Sequence, residues 1–376
     1  MKYVKARLLY DGKTIRKDQY VSFDDKITSI DDKKPLNGDF IGEGIITPAF
    51  IDSHSHIGMV RSGEPSAEDE SNEQMENLFP LVRAIDSVYM DDSAFAESVE
   101  NGVLYSTVLP GSGNTLGGKA SLIRNFKSNI TDAFFMDIGI KMALGFNPRS
   151  TTSWKGTRPT TRMGAAALLR ESFYSAQKAI NLIKKGKKDI DEIEPLTEVF
   201  MDILRGKYKL MVHTHKEDDA EILISLKNEF GLKVVLNHGM DIHTLAAFRR
   251  IKENGIPIVY GPMDSLPYKV ELKHESWRNV QFLMESGAKF SMMSDHPVIL
   301  QRNIFLTMRH FLRFGMDRAE AISKLTSESA EILGINNLGQ INPGFLASMV
   351  IWNDDPFALT SHPVKVIGEG NIVYEE

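Results

Sequence analysis

Seven side chains in this 376-residue sequence carry metal-type or acid–base chemistry at suggestive spacing: His54, His56, Lys141, His213, His215, His238 and Asp295. His54 and His56 end the apolar run Ile45-Ile46-Thr47-Pro48-Ala49-Phe50-Ile51. Strand alternation puts both imidazoles on one side of a sheet. Two neutral imidazoles with Asp52 close by suit a borderline-soft divalent ion such as zinc. His213 and His215 repeat the His-x-His spacing, and periodicity does not choose between them. The chain has no cysteine, which excludes thiolate sites and disulfide frameworks. An ion here would be held by His, Asp, Glu or a modified Lys.

These residues need strands to position them, and the middle of the chain supplies an alternation of strand-like and helix-like runs, the pattern of a parallel α/β sheet. Strands are expected at 102–109, 138–144, 209–213, 233–238, 256–260 and 289–295. Helices are expected at roughly 165–185, 195–205, 217–230 (closed by Gly231) and 277–285, with a late one opened by an Asp317/Glu320 capping box. Residues 61–77 read as a solvated acidic loop leading into a helix, and 147–164 as a long polar loop near the barrel mouth. The candidate groups fall at the C-terminal ends of five strands, where a (β/α)8 barrel carries its active site. Both termini are strand-rich, so residues 1–47 and 342–376 are expected to pair into a small β-sandwich domain beside a (β/α)8 TIM barrel of residues 48–341.

The string Thr47-Pro48-Ala49-Phe50-Ile51-Asp52-Ser53-His54-Ser55-His56 resembles the first-strand signature of the metal-dependent amidohydrolase superfamily. Val212-His213-Thr214-His215 resembles its fifth-strand His, Leu236-Asn237-His238-Gly239 its sixth-strand His-Gly, and Ser294-Asp295-His296-Pro297 its eighth-strand Asp. Lys141 lies where some members place a lysine that reacts with carbon dioxide. Gly339-Gln340-Ile341-Asn342-Pro343-Gly344 before the closing strands is also similar, with Ser348 where an Asp is usual. The resemblance implies that His54, His56, His213 and Asp295 hold a first metal, zinc by expectation. In relatives the first His of a pair such as His213/His215 is the ligand. If the site is binuclear, His213 moves to a second ion with His238 and a carboxylated Lys141. The implied activity is hydrolysis of a C–N bond in an amide, lactam, cyclic amide or dipeptide by a metal-activated water, with Asp295 as proton shuttle and His238 beside it as a catalytic group. A ring deaminase of the same superfamily and a non-catalytic scaffold are the alternatives.

Gly113-Asn114-Thr115-Leu116-Gly117-Gly118-Lys119-Ala120 nearly spells a phosphate-binding loop, but Ala120 stands where the motif needs a hydroxyl. It reads instead as a flexible glycine loop over the mouth, with Lys119 and backbone N–H groups as a carboxylate cradle. Pro110-Gly111-Ser112-Gly113-Asn114 resembles a segment of the imidazolonepropionase-related group, which stands with the Xaa-Pro-dipeptidase-like members as the nearest expectation. Asn114, Lys119, His215 and His274 are the expected substrate contacts. The net charge of −6 points to neither nucleic acid nor an anionic membrane. A cytoplasmic enzyme with a small-molecule substrate is the default, with self-association open.

Overall fold

The computed structural model describes residues 1–376. Fifteen strands form two sheets. The N-terminus supplies β1 (Lys2–Tyr10), β2 (Ile15–Phe23), β3 (Ile27–Asp31) and β4 (Asp39–Pro48). The middle supplies β5 (Phe50–Ser55), β6 (Val103–Val108), β7 (Leu116–Arg124), β8 (Phe134–Ala143), β9 (Lys209–Thr214), β10 (Val234–His238), β11 (Ile258–Tyr260) and β12 (Phe290–Met292). The C-terminus adds β13 (Met349–Trp352), β14 (Pro363–Gly368) and β15 (Asn371–Glu375).

The terminal strands make one continuous sheet in the order β15-β14-β13-β4-β1-β2-β3. The link is β13 running antiparallel to β4, with Ile351 opposite Ile46. One face buries its own cluster, including Val4, Phe23, Ile46, Met349 and Ile351.

The other sheet is a nearly closed, TIM-like barrel in the order β5 to β12. Its seam is held by Ser53 Oγ and Ser291 Oγ at 3.0 Å and by the Asp295 N–H donating to the His54 carbonyl at 3.1 Å. β10, β11 and β12 are buried along their whole length, which is why runs such as Val234-Val235-Leu236 lack alternation. Helices cover the outside. Arg162–Lys184 buries Leu169, Phe173 and Ala176. Glu217–Phe230 has three acids in its first turn, which complement the positive end of the helix dipole, and stops at left-handed Gly231.

Two expectations are corrected. The glycine stretch is no flexible loop: from Leu116 it is strand β7, antiparallel to both β6 and β8. Leu116 to Lys119 faces only Met142 to Ile140, so an extra residue bulges there. Gly118 is required because a Cβ would strike the Val82 carbonyl, whose oxygen accepts the Lys119 N–H at 2.8 Å. The acidic stretch 61–77 is mostly exposed, as expected, but it is pinned at buried Ser71 and Asn77 and at Asn72, whose Oδ1 accepts the Gly113 N–H at 2.9 Å. Short 3-10 turns at Ser66–Glu68 and Ala84–Ser87 come first, and an α-helix arrives only at Ser93–Glu100. Half of the Asp317 capping box forms, with Asp317 accepting from the Glu320 N–H at 2.8 Å while the Glu320 carboxylate pairs with Lys324 at 3.3 Å.

Candidate metal centre

The strand ends deliver their side chains to one mouth. His54 lies on β5 and His56 just past it, Lys141 on β8, His213 on β9 with His215 beyond, His238 at the end of β10, and Asp295 after β12. His238 (φ 83°) and Asp295 (φ 53°) are left-handed, a conformation costing about 1–3 kcal/mol that clusters at functional sites.

Asp295 Oδ1 sits 3.3 Å from Nε2 of both His54 and His56. His56 Nδ1–H donates to the Leu109 carbonyl at 2.8 Å, leaving the Nε2 lone pair facing Asp295. His238 Nδ1–H donates to the Gly261 carbonyl at 3.0 Å, and its buried Nε2 has no partner. His54 Nδ1 lies 2.7 Å from the Asn237 amide nitrogen while Asn237 Oδ1 is buried and unpartnered. Turning that amide over pairs Oδ1 with His54 Nδ1–H and frees the His54 Nε2 lone pair. Lys141 Nζ approaches His54 Nε2 at 3.1 Å.

A second group abuts the first. His213, His215 and His238 bring ligand atoms within 4.8 Å of one another. His213 Nε2 meets Glu271 Oε1 at 3.0 Å, and the Nδ1 atoms of His213 and His215 are buried without partners.

Burial sets the charge states. It holds His54, His215 and His238 well below the usual imidazole range and His213 down at about 4. Burial also brings the Lys141 amine down to about 7, against the pull of Asp295. For Asp295 burial works the other way, but His238, His54 and His56 outweigh it and keep the carboxylate well below its ordinary range. Neutral imidazoles with orphaned nitrogens around an ionised carboxylate fit an N/O-ligated divalent ion.

One participant carries no signal in the sequence, and another has a different part from the one its spacing suggests. Glu271 is buried against His213 and salt-bridged to Lys269 Nζ at 2.8 Å, yet it comes from a charged stretch that resembles surface. Asp52, beside the histidine pair, is a brace and not a ligand. It accepts from the His54 N–H (3.2 Å), the Ser294 N–H (3.1 Å) and Gln301 Nε2 (2.7 Å), tying β5 to the Asp295 turn. Burial raises its acid to about 6.

Three of the four expected substrate contacts face elsewhere. Lys119 pairs with Ile140 and turns to the outer wall, its ammonium 5.6 Å from the centre of the Tyr208 ring, because the bulge shifts the alternation. Lys119→Ala is therefore expected to leave KM unchanged, and a raised KM in steady-state assays would contradict this placement. Asn114 spends both amide protons on the Glu73 and Glu76 carbonyls, at 2.9 and 2.6 Å, pinning the acidic segment. His215 is in the cluster. His274 lies on Asp241, in a separate group with His243.

The centre is roofed by the segment from Pro262 to Ser276. Beside His215, Lys269 and Asp295 only about 10 Å³ remains, roughly one water. A larger cavity of about 410 Å³ lies under the acidic segment by Asp69, Glu73 and Arg83, and none of the clustered histidines lines it.

A barrel with imidazoles and one aspartate gathered at its C-terminal mouth has the form of a metal-dependent hydrolase. The amidohydrolase family model matches residues 198–374. An amidohydrolase structure from Thermotoga maritima MSB8 aligns over 100% of both chains with 28% identity and a TM-score of 0.93. A Xaa-Pro dipeptidase structure with bound methionine, 16% identical, aligns over 100% of both chains with a TM-score of 0.63, a likeness of fold. The amidohydrolase tasK of Hapsidospora irregularis is 27% identical over 93% of this chain, and the alignment covers 39% of that protein's length. The chain is thus similar to an amidohydrolase of known structure along its whole length, and its C-terminal part matches the amidohydrolase family model. No helix is long and apolar enough to cross a membrane.

Proposed function

We propose that the chain hydrolyses a carbon–nitrogen bond of a small molecule, in an amide, lactam, cyclic amide or dipeptide. The observation that carries this reading is the meeting of His54 Nε2 and His56 Nε2 on Asp295 Oδ1, each at 3.3 Å, beside the orphaned Nε2 of His238. His54, His56, His213, His238 and Asp295 would hold zinc or a similar ion, in one or two copies. Such an ion lowers the pKa of a bound water to about 7 and polarises a carbonyl. Asp295 takes the proton from the attacking water and hands it to the leaving nitrogen, base first and then acid. Asn237 and the Leu109 and Gly261 carbonyls hold the rings in register. Lys141, whose amine is readily neutral, is suited to react with carbon dioxide. The neutral amine would add to carbon dioxide and release one proton to solvent, which would place a carbamate anion beside His54. The roof shifts to admit any substrate larger than water, carrying Lys269 and Glu271 with it.

Glu271→Gln is expected to weaken metal retention by about 10- to 100-fold, the usual cost of losing a group that orients a ligand. Competition with a chelator measures this, and unchanged retention would remove Glu271 from the account. The reading itself is tested by incubating zinc-loaded protein with N-acyl amino acids, Xaa-Pro dipeptides and lactams under mass spectrometry. Uptake of one water with acid and amine in equal amounts supports it. Release of ammonia from aminated rings alone would move the assignment to deamination.

A further inference from the structure

A smaller group of metal-type side chains lies outside the centre: Asp241, His243 and His274, with ligand atoms all within 4.8 Å of one another. Asp241 and His243 belong to the turn after β10, while His274 belongs to the roof segment after β11. Asp241 is only 1% exposed, and its one ionic partner is His274, whose Nδ1 stands 3.3 Å from Asp241 Oδ2. A charge-assisted hydrogen bond would draw in to about 2.7–2.9 Å. Two donors on one tetrahedral zinc, each about 2.0 Å from the ion, are separated by about 3.3 Å.

The other groups agree. His243 Nδ1 approaches the Asp241 carbonyl at 2.8 Å, which leaves Nε2 free. Its ring stacks on His274 with centroids 4.3 Å apart. The Glu217 carboxylate stands 3.6 Å from His243 Nδ1. Glu275 adds a buried Oε2 with no partner, and burial together with Asp241 pushes its acid up to about 7. Asp241 pairs with no Lys or Arg, and the two rings are half-exposed, so an ion can enter from solvent.

We infer that Asp241, His243 and His274 form a second divalent-cation site, separate from the catalytic centre, in which an ion such as Zn²⁺ clamps the roof segment to the β10 turn. This explains why His274 is turned from the mouth. It also couples the ion to Glu271, three residues away on the same segment.

The test is the zinc content of full-length protein equilibrated at one fixed free-zinc concentration, for wild type and for a double variant carrying His243→Gln and His274→Gln. The expected result is a loss of one equivalent in the double variant, with faster amide exchange across residues 262–276. Equal zinc content in the two proteins overturns the inference. An empty catalytic centre would give a different pattern, one equivalent in wild type and none in the variant, so the two claims fail separately. If the double variant does not fold, His243→Gln alone, at a half-exposed ring, is expected to weaken that equivalent by about tenfold or more. Unaltered affinity in that protein would equally overturn the inference.

Discussion

Asp295→Asn lowers kcat by at least about 10³-fold, within the range that a positioned acid–base group contributes, while the fold persists. Asn has the shape of Asp and tolerates the left-handed backbone at this position (φ 53°) better than other residues do. The Asp295 N–H bond to the His54 carbonyl is untouched by the change. What disappears is the negative charge 3.3 Å from two Nε2 atoms and the group that moves the proton. Steady-state kinetics alongside a thermal melt separate the outcomes. A variant with near-normal kcat and an unchanged melt would sink the mechanism.

The pair of variants at the other side of the same point carries the second large effect. His54→Ala with His56→Ala removes both Nε2 atoms and should strip the centre of its ion. Several kcal/mol of transition-state charge stabilisation go with it, which corresponds to about 10³-fold or more in rate. The loss is not simply structural, because Asp52 still braces the His54 backbone N–H and the Ser294 turn. Added zinc should fail to restore turnover in this protein, whereas it should restore chelator-treated wild type. Recovery of the double variant with zinc would contradict the ligand assignment.

The residues gathered at the mouth were legible for a geometric reason. Each of Lys141, His213 and His238 closes or nearly closes an apolar run, and in a barrel the end of a buried strand is a position in space as well as in sequence. That made the mouth readable from His54 to Asp295. The direction of β7 was not readable, because Gly117-Gly118 has the composition of a loop and its purpose is the approach of Val82, a segment far off in the chain. The same bulge turns Lys119 outward while Lys141, on regularly paired β8, turns inward, so two strand lysines that look alike in sequence have opposite fates. Glu271 was hidden for a different reason: flanked by Lys269 and Lys273, it has the pattern of a solvated stretch until the roof folds it onto His213. Asn237 could be seen only as the neighbour of His238, since its contact with His54 depends on β10 lying across the barrel from β5.

The central claim is that these strand ends hold a catalytic ion, and the most direct measurement is an anomalous-scattering map at the zinc edge from crystals of protein grown with zinc and bicarbonate. The account predicts a peak about 2.0–2.2 Å from His54 Nε2, His56 Nε2 and an Asp295 oxygen, with density extending from Lys141 Nζ if a second ion is present. No peak among these residues, or a peak at Asp241 and His274 alone, would contradict it.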